Sequence, residues 1–137
     1  MIPGRRAVSA SLSAKYYREG WWRSETFLDD FLEIAAQDPE RPALVSYVAG
    51  QASPSRHTYG ELELLSRRCA AALIDLGVEQ GETVSVQLPN TWDYPAIALG
   101  IMRAGAIVNT LVPIFRSREL EFILGRTKSR ILIAPNL

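Results

Sequence analysis

The sequence is short of the residues that metal sites, staples and many catalytic centres need. It has one cysteine, Cys69, and one histidine, His57. A lone cysteine closes no internal disulfide, and with a lone histidine it cannot complete a metal site. The expected metal ligands are therefore none, and a reducing, cytoplasmic compartment is the simplest expectation. An excess of either charge is also missing, because 15 basic residues offset 15 acidic ones. No net field draws the chain to nucleic acid or to an anionic membrane. No apolar run approaches the roughly 20 residues of a membrane-spanning helix. Arg5 and Arg6 are followed by alternating small and hydroxyl residues rather than by the apolar stretch of a signal peptide.

What remains is an ordinary globular composition, 47% hydrophobic and 22% charged over 137 residues. That is enough for one domain burying about two-thirds of its unfolded surface. Residues 1–15 are expected to be a flexible leader, and residues 16–137 an incomplete α/β unit. An aromatic knot follows the leader: Tyr16, Tyr17, Trp21 and Trp22 lie among Lys15, Arg18 and Arg23. Such rings can stack on bases or on another ring, but docking on the body of the protein is the expected role.

From Thr26 the apolar residues Phe27, Leu28, Phe31, Leu32 and Ala35 take helical spacing, with Thr26 and Asp29 as a capping box. Residues 43–48 and 56–58 read as two strands of a hairpin. Thr58 and Glu61 form a second capping box opening a helix whose predicted apolar stripe is Leu62, Leu65, Cys69, Ala72, Leu73 and Leu76. Glu63 and Arg67 should pair on its wet side, and Gly77 should end it. Residues 83–88 alternate Val84, Val86 and Leu88 with Thr83, Ser85 and Gln87, the strand period. Asn90 should cap a buried helix over 91–104 that Gly105 stops. A strand over 106–111, a helix capped by Ser117 and a strand over 130–134 complete the pattern. Strands alternating with helices over short connections predict an α/β fold: a partial doubly wound, mostly parallel sheet with helices on both faces, mixed at one edge by the hairpin.

The search for chemistry yields little. Gly100 and Gly105 have phosphate-loop spacing, but no Lys, Ser or Thr follows them, so the pair reads as a helix stop. Cys69 sits on an apolar stripe and His57 beside a turn, which makes a nucleophile–base pair the weaker reading of each. Asp29 and Asp30 complement a helix start. Two features keep weight. Ligands of open α/β sheets bind beyond the strands' carboxyl ends, here Pro89–Asn90, Leu111–Pro113 and Pro135–Asn136. Arg116, Arg118, Arg126, Lys128 and Arg130 form a basic cluster that a phosphate-bearing cofactor could use, although a solvated helix face is the expected reading. The expected catalytic residues are none, and cofactor-binding residues are unknown.

Taken in order, Thr58-Tyr59-Gly60-Glu61-Leu62, the run Gly81 to Asn90, and Gly100 to Ala106 resemble the opening of the adenylate-forming superfamily. Tyr17 to Trp22 resembles the leader of cyclohexanecarboxylate and medium-chain acyl-CoA ligases and of aryl-acid AMP ligases. Pro113 to Leu120 looks more like the acyl-CoA ligase branch. The resemblance covers nearly all of residues 16–134. It implies a parent enzyme that joins a carboxylic acid to ATP as an acyl-adenylate, with Mg assisting, and then transfers the acyl group to CoA. The family's phosphate loop, ATP-binding aspartate and mobile-domain lysine lie downstream of the matched positions, so no catalytic residue is carried over. The expectation is the front portion of a larger enzyme that is inactive alone and needs no cofactor itself. The strand over 130–134 offers an edge for self-association.

Overall fold

The computed structural model describes residues 8–135. The described residues build five strands and five helices, the predicted alternation of five strands with four helices plus one helix ahead of it. The leader departs from expectation first. Residues 10–15 are helical rather than irregular, within α1 (Ala10–Arg18), because the Ser9 hydroxyl accepts the Leu12 N–H and caps the first turn. Residues 1–7 of the expected flexible segment lie outside the described residues.

Helix α2 (Phe27–Gln37) starts at the Thr26 capping box and buries Phe31 and Ala35. Strands β1 (Pro42–Ser46) and β2 (Ser55–Thr58) pair antiparallel. They form a sheet of their own, not an edge of the parallel one. The predicted mixed sheet is thus two sheets, since the hairpin's apolar side (Ala43, Leu44) packs on Phe31 and Leu62 of the helices instead.

Helix α3 (Tyr59–Asp75) opens with the Thr58 capping box and ends before Gly77, whose φ of +82° suits a residue without Cβ. Its buried side is Leu62, Ser66, Ala70 and Leu73, rotated from the predicted stripe. Ala72 is exposed and Leu76 is 64% exposed. The rotation follows from helix α4 (Asp93–Arg103), where Gly100 lies so close to α3 that an added Cβ would sit 2.5 Å from the Cys69 Cβ. Ser66 tolerates complete burial by donating to the Glu63 carbonyl at 2.8 Å.

Strands β3 (Thr83–Val86), β4 (Ile107–Thr110) and β5 (Ile131–Ile133) form a parallel sheet in the order β4-β3-β5. Helix α4 connects β3 to β4, and helix α5 (Ser117–Thr127) connects β4 back across β3 to β5. The two crossovers run in opposite directions, so right-handed connections put α4 and α5 on opposite faces. On the α4 face, Val84, Val86 and Ile101 are fully buried beside Leu73, Val108, Ile131 and Ile133. Phe31, Leu62, Ala96 and Leu99 form a second core among α2, α3 and α4. Among the described residues no helix is long and apolar enough to cross a membrane.

Candidate functional site

The strand order, numbered from the first parallel strand, is 2-1-3, which places a topological switch point between β3 and β5. The crevice expected to hold a ligand therefore lies beyond Val86 and Ile133, bounded by Leu88 to Asn90 on one side and Ala134 and Pro135 on the other. Asn136, part of the predicted rim, lies outside the described residues. The rim is held by backbone bonds: the Gln87 N–H donates to the Ile133 carbonyl at 2.8 Å, and the Leu111 N–H to the Val86 carbonyl at 2.9 Å.

Gln87 also fixes the connection after β4. Its Nε2 lies 3.2, 3.4 and 2.9 Å from the carbonyls of Val112, Pro113 and Phe115. The side chain is buried, so the amide is the polar plug that lets the 112–116 turn close over the sheet. The alternating pattern had placed Gln87 and Ser85 on the strand's polar side and nothing more. Tyr94, in the first turn of α4, meets the Thr110 hydroxyl at 2.5 Å and ties that helix to the end of β4.

Asn90 does not cap α4. Both the N–H and the hydroxyl of Thr91 fold back on the Pro89 carbonyl, at 2.8 and 3.2 Å, and the helix starts two residues later behind Trp92. Pro95 then occupies the first turn, where its missing N–H costs no hydrogen bond. Ser117 likewise is the first residue of α5 rather than its cap. The cap position is Arg116, whose N–H donates to Glu119 at 3.0 Å.

The basic cluster is not one site. Arg116 and Arg118 start α5 on the carboxyl-end side of the sheet, whereas Arg126 in its last turn, Lys128 at its cap and Arg130 beyond it lie at the far end, about 15 Å along the helix axis. Arg130 reaches toward Glu82 at 4.0 Å, at the amino end of β3. Proximity in sequence gave a cluster; the length of one helix divides it. Glu63 shows the opposite outcome. Predicted on the wet side, it is mostly buried and receives both Arg67, at 2.8 Å, and Arg103 of α4, at 2.9 Å.

His57 and Cys69 are not joined as a nucleophile–base pair among the described residues. His57 stacks on Trp92 at 4.4 Å between ring centroids, with its Nδ1 3.8 Å from Glu61. Cys69 lines a cleft of about 190 Å³ with Leu65, Trp92, Asp93, Ala96 and Ile97, and burial pushes its thiol above the ordinary 9.0. A thiol held protonated is a poor nucleophile. Gly105, at φ +74°, is the expected helix stop, while Gly100 proves to be a packing glycine against Cys69, a role the sequence did not signal. No group of three or more His, Cys, Asp or Glu residues is placed to hold a metal ion among the described residues. The described rim offers Leu88, Pro89, Asn90, Ala134 and Pro135, with neither a cation nor a row of glycine amides. These residues do not fit a magnesium triphosphate by themselves.

Comparison with known proteins gives this scaffold its context. The profile described as "AMP-binding enzyme" matches residues 31–136. The long-chain-fatty-acid–CoA ligase of Escherichia coli O6:H1 is 35% identical over 83% of this chain and 20% of its own length. The 2,3-dihydroxybenzoate-AMP ligase of Bacillus subtilis is 28% identical over 99% of this chain and 24% of its own. The apo structure of Mycobacterium smegmatis MbtA superposes with a TM-score of 0.80 at 33% identity, covering 94% of this chain and 23% of that one. The chain thus spans between a fifth and a quarter of the length of these proteins.

Proposed function

This chain belongs to the AMP-binding enzyme family, and on that premise we propose that it is the opening scaffold of an AMP-forming carboxylic acid–CoA ligase. The observation carrying the CoA branch is the 35% identity to a fatty-acid–CoA ligase across 83% of the chain, with the Pro113–Leu120 stretch in the same sense. An aryl-acid AMP ligase is the second reading, favoured by the 28% match to the dihydroxybenzoate enzyme, which extends over 99% of the chain and so includes the aromatic leader.

In either reading the role of these residues is to position rather than to react. Gln87, Tyr94 and Thr110 lock the carboxyl ends of β3 and β4, and the rigid α3–α4 pair backs the sheet. ATP, Mg, CoA and the carboxylic acid belong to the whole enzyme, and its working place is the cytoplasm. The 137 residues alone should give no turnover.

Two measurements test this. The purified chain, given ATP, Mg and either palmitate or 2,3-dihydroxybenzoate, should release no pyrophosphate. A chimera carrying these residues in place of the matching opening of the Escherichia coli fatty-acid–CoA ligase should make acyl-CoA. Turnover by the chain alone, or a folded but inert chimera, overturns the proposal.

A further inference from the structure

The start of α4 is held in a way that its own residues do not explain. The helix follows the Pro89–Thr91 turn, which forms one side of the crevice beyond β3. Trp92 stands at the cap position with helical backbone angles and makes no capping hydrogen bond through its side chain. Asp93, the acid of the first turn, has its Oδ1 buried with no hydrogen-bond partner among the described residues. The turn is closed by short-range bonds, the Thr91 N–H to the Pro89 carbonyl at 2.8 Å and the Tyr94 N–H to the Thr91 carbonyl at 3.2 Å. Tyr94 anchors the helix to Thr110 of β4, which leaves the turn ahead of it to be set. A turn closed so locally does not fix its own place on the sheet.

That place comes from the other sheet. His57, in β2, stacks its imidazole on the Trp92 indole with ring centroids 4.4 Å apart and planes within 14° of parallel. The histidine side chain is only 18% exposed. Its Nε2 is buried with no hydrogen-bond partner among the described residues, and its Nδ1 lies 3.8 Å from Glu61, beyond hydrogen-bond length. What the contact uses is the flat face of the ring and not its nitrogens. Trp92 also lines the cleft beside Leu65 and Cys69 of α3. One indole therefore joins the hairpin, α3 and the crevice turn.

We propose that His57 and Trp92 are a positioning pair, whose stack sets the Pro89–Thr91 turn and through it one wall of the ligand crevice. That this wall serves a substrate rests on the ligase reading above; the clamp itself does not. A site whose wall is set for only part of the time loses apparent affinity by that fraction.

Hydrogen exchange of the full chain, followed by NMR, reads the clamp directly. His57→Leu should speed exchange of the Thr91 and Tyr94 amides about two- to tenfold, the range that one aromatic pair is worth. His57→Phe, which keeps a flat face and removes an unpaired buried nitrogen, should leave them at the parent rate or slower. Trp92→Leu should do at least as much as His57→Leu, and the double variant should exchange no faster than Trp92→Leu alone. Amides inside α3 and β3 should keep their rates throughout. Equal acceleration across α3 and β3, a His57→Phe variant as fast as His57→Leu, or additive effects in the double variant overturns the clamp.

The link to the site is read in the chimera with the Escherichia coli ligase. There His57→Leu should raise KM for palmitate or ATP about two- to tenfold with kcat held, and His57→Phe should restore it. An active chimera whose KM values ignore His57→Leu overturns the positioning role. A folded but inert parent chimera sinks the ligase reading instead, and the exchange rates then decide the clamp on their own.

Discussion

The two faces of β3 are both buried, but by different means. On one, Val84 and Val86 are fully covered by Leu73 and Ile101, with Val108, Ile131 and Ile133 on the flanking strands. On the other, Ser85 is equally inaccessible, yet it is covered by polar groups: Asn109 Nδ2 donates to its hydroxyl at 2.8 Å and the Ser129 hydroxyl does so at 2.7 Å. Asn109 faces Ser85 across the ladder, as Leu132 does on the other side. The flanking Ile107 and Leu132 are each more than one-third exposed, so the apolar residues of this face lie at its margins and the polar ones at its centre. The first face is stabilised by area removed from water, the second by hydrogen bonds that must all be made. An alternating strand therefore does not imply a wet face; in a parallel sheet with crossovers on both sides, the polar residues of the middle strand are enclosed and must find partners.

The comparison breaks most severely on the apolar face. Ile101→Ala should cost about 2–5 kcal/mol by leaving a cavity over Val84 and Val86, measured by denaturant unfolding. Gly100→Ala attacks the seat of the same helix. The new Cβ would meet Cys69 Cβ at 2.5 Å and Sγ at 2.7 Å, which outweighs the usual gain from alanine in a helix, so a loss of about 3 kcal/mol is expected.

The polar face should respond less, and by another route. Ser85→Ala removes the acceptor used by Asn109 and should cost about 2 kcal/mol, with the Asn109 side-chain amide signals shifting in NMR spectra. Gln87→Leu keeps the volume but frees three carbonyls, so amide exchange should quicken over residues 112–116 while the α3–α4 pair keeps its protection.

The smallest effect belongs to a cap remote from both faces. The Asp29 carboxylate accepts the hydroxyl and the backbone N–H of Thr26, both at 2.7 Å, which holds its pKa below the ordinary 3.8. Because the folded value is the lower one, the cap contributes fully above the ordinary value and is lost as pH falls through the depressed one. Stability of Asp29→Asn relative to the parent chain should therefore converge toward acid pH, in urea titrations on either side of about pH 4.

Local features were readable because their causes are local. The Thr26 and Thr58 capping boxes, the Gly77 and Gly105 stops and the alternation of strands with helices each need only residues a few positions apart. The α3 stripe and the site of Glu63 were misread because both depend on α4, which comes nearly thirty residues after Leu65. Asn90 was misread because Thr91 competes for the same turn. Nothing in the sequence around Gln87 signalled its three carbonyl partners, which lie more than twenty residues ahead.

Composition and pattern alone determined the class of the fold and the scarcity of cysteine and histidine, since residue type and short-range spacing suffice for each, while the family was reached through the resemblance of particular motifs. The tertiary structure decided that the hairpin forms its own sheet, that Ser85 and Gln87 are enclosed, that the five basic residues separate along α5, and that the rings of Tyr16, Tyr17, Trp21 and Trp22 pack on one another. Each of those outcomes depends on which surfaces meet, and a linear pattern holds the surfaces but not their meeting.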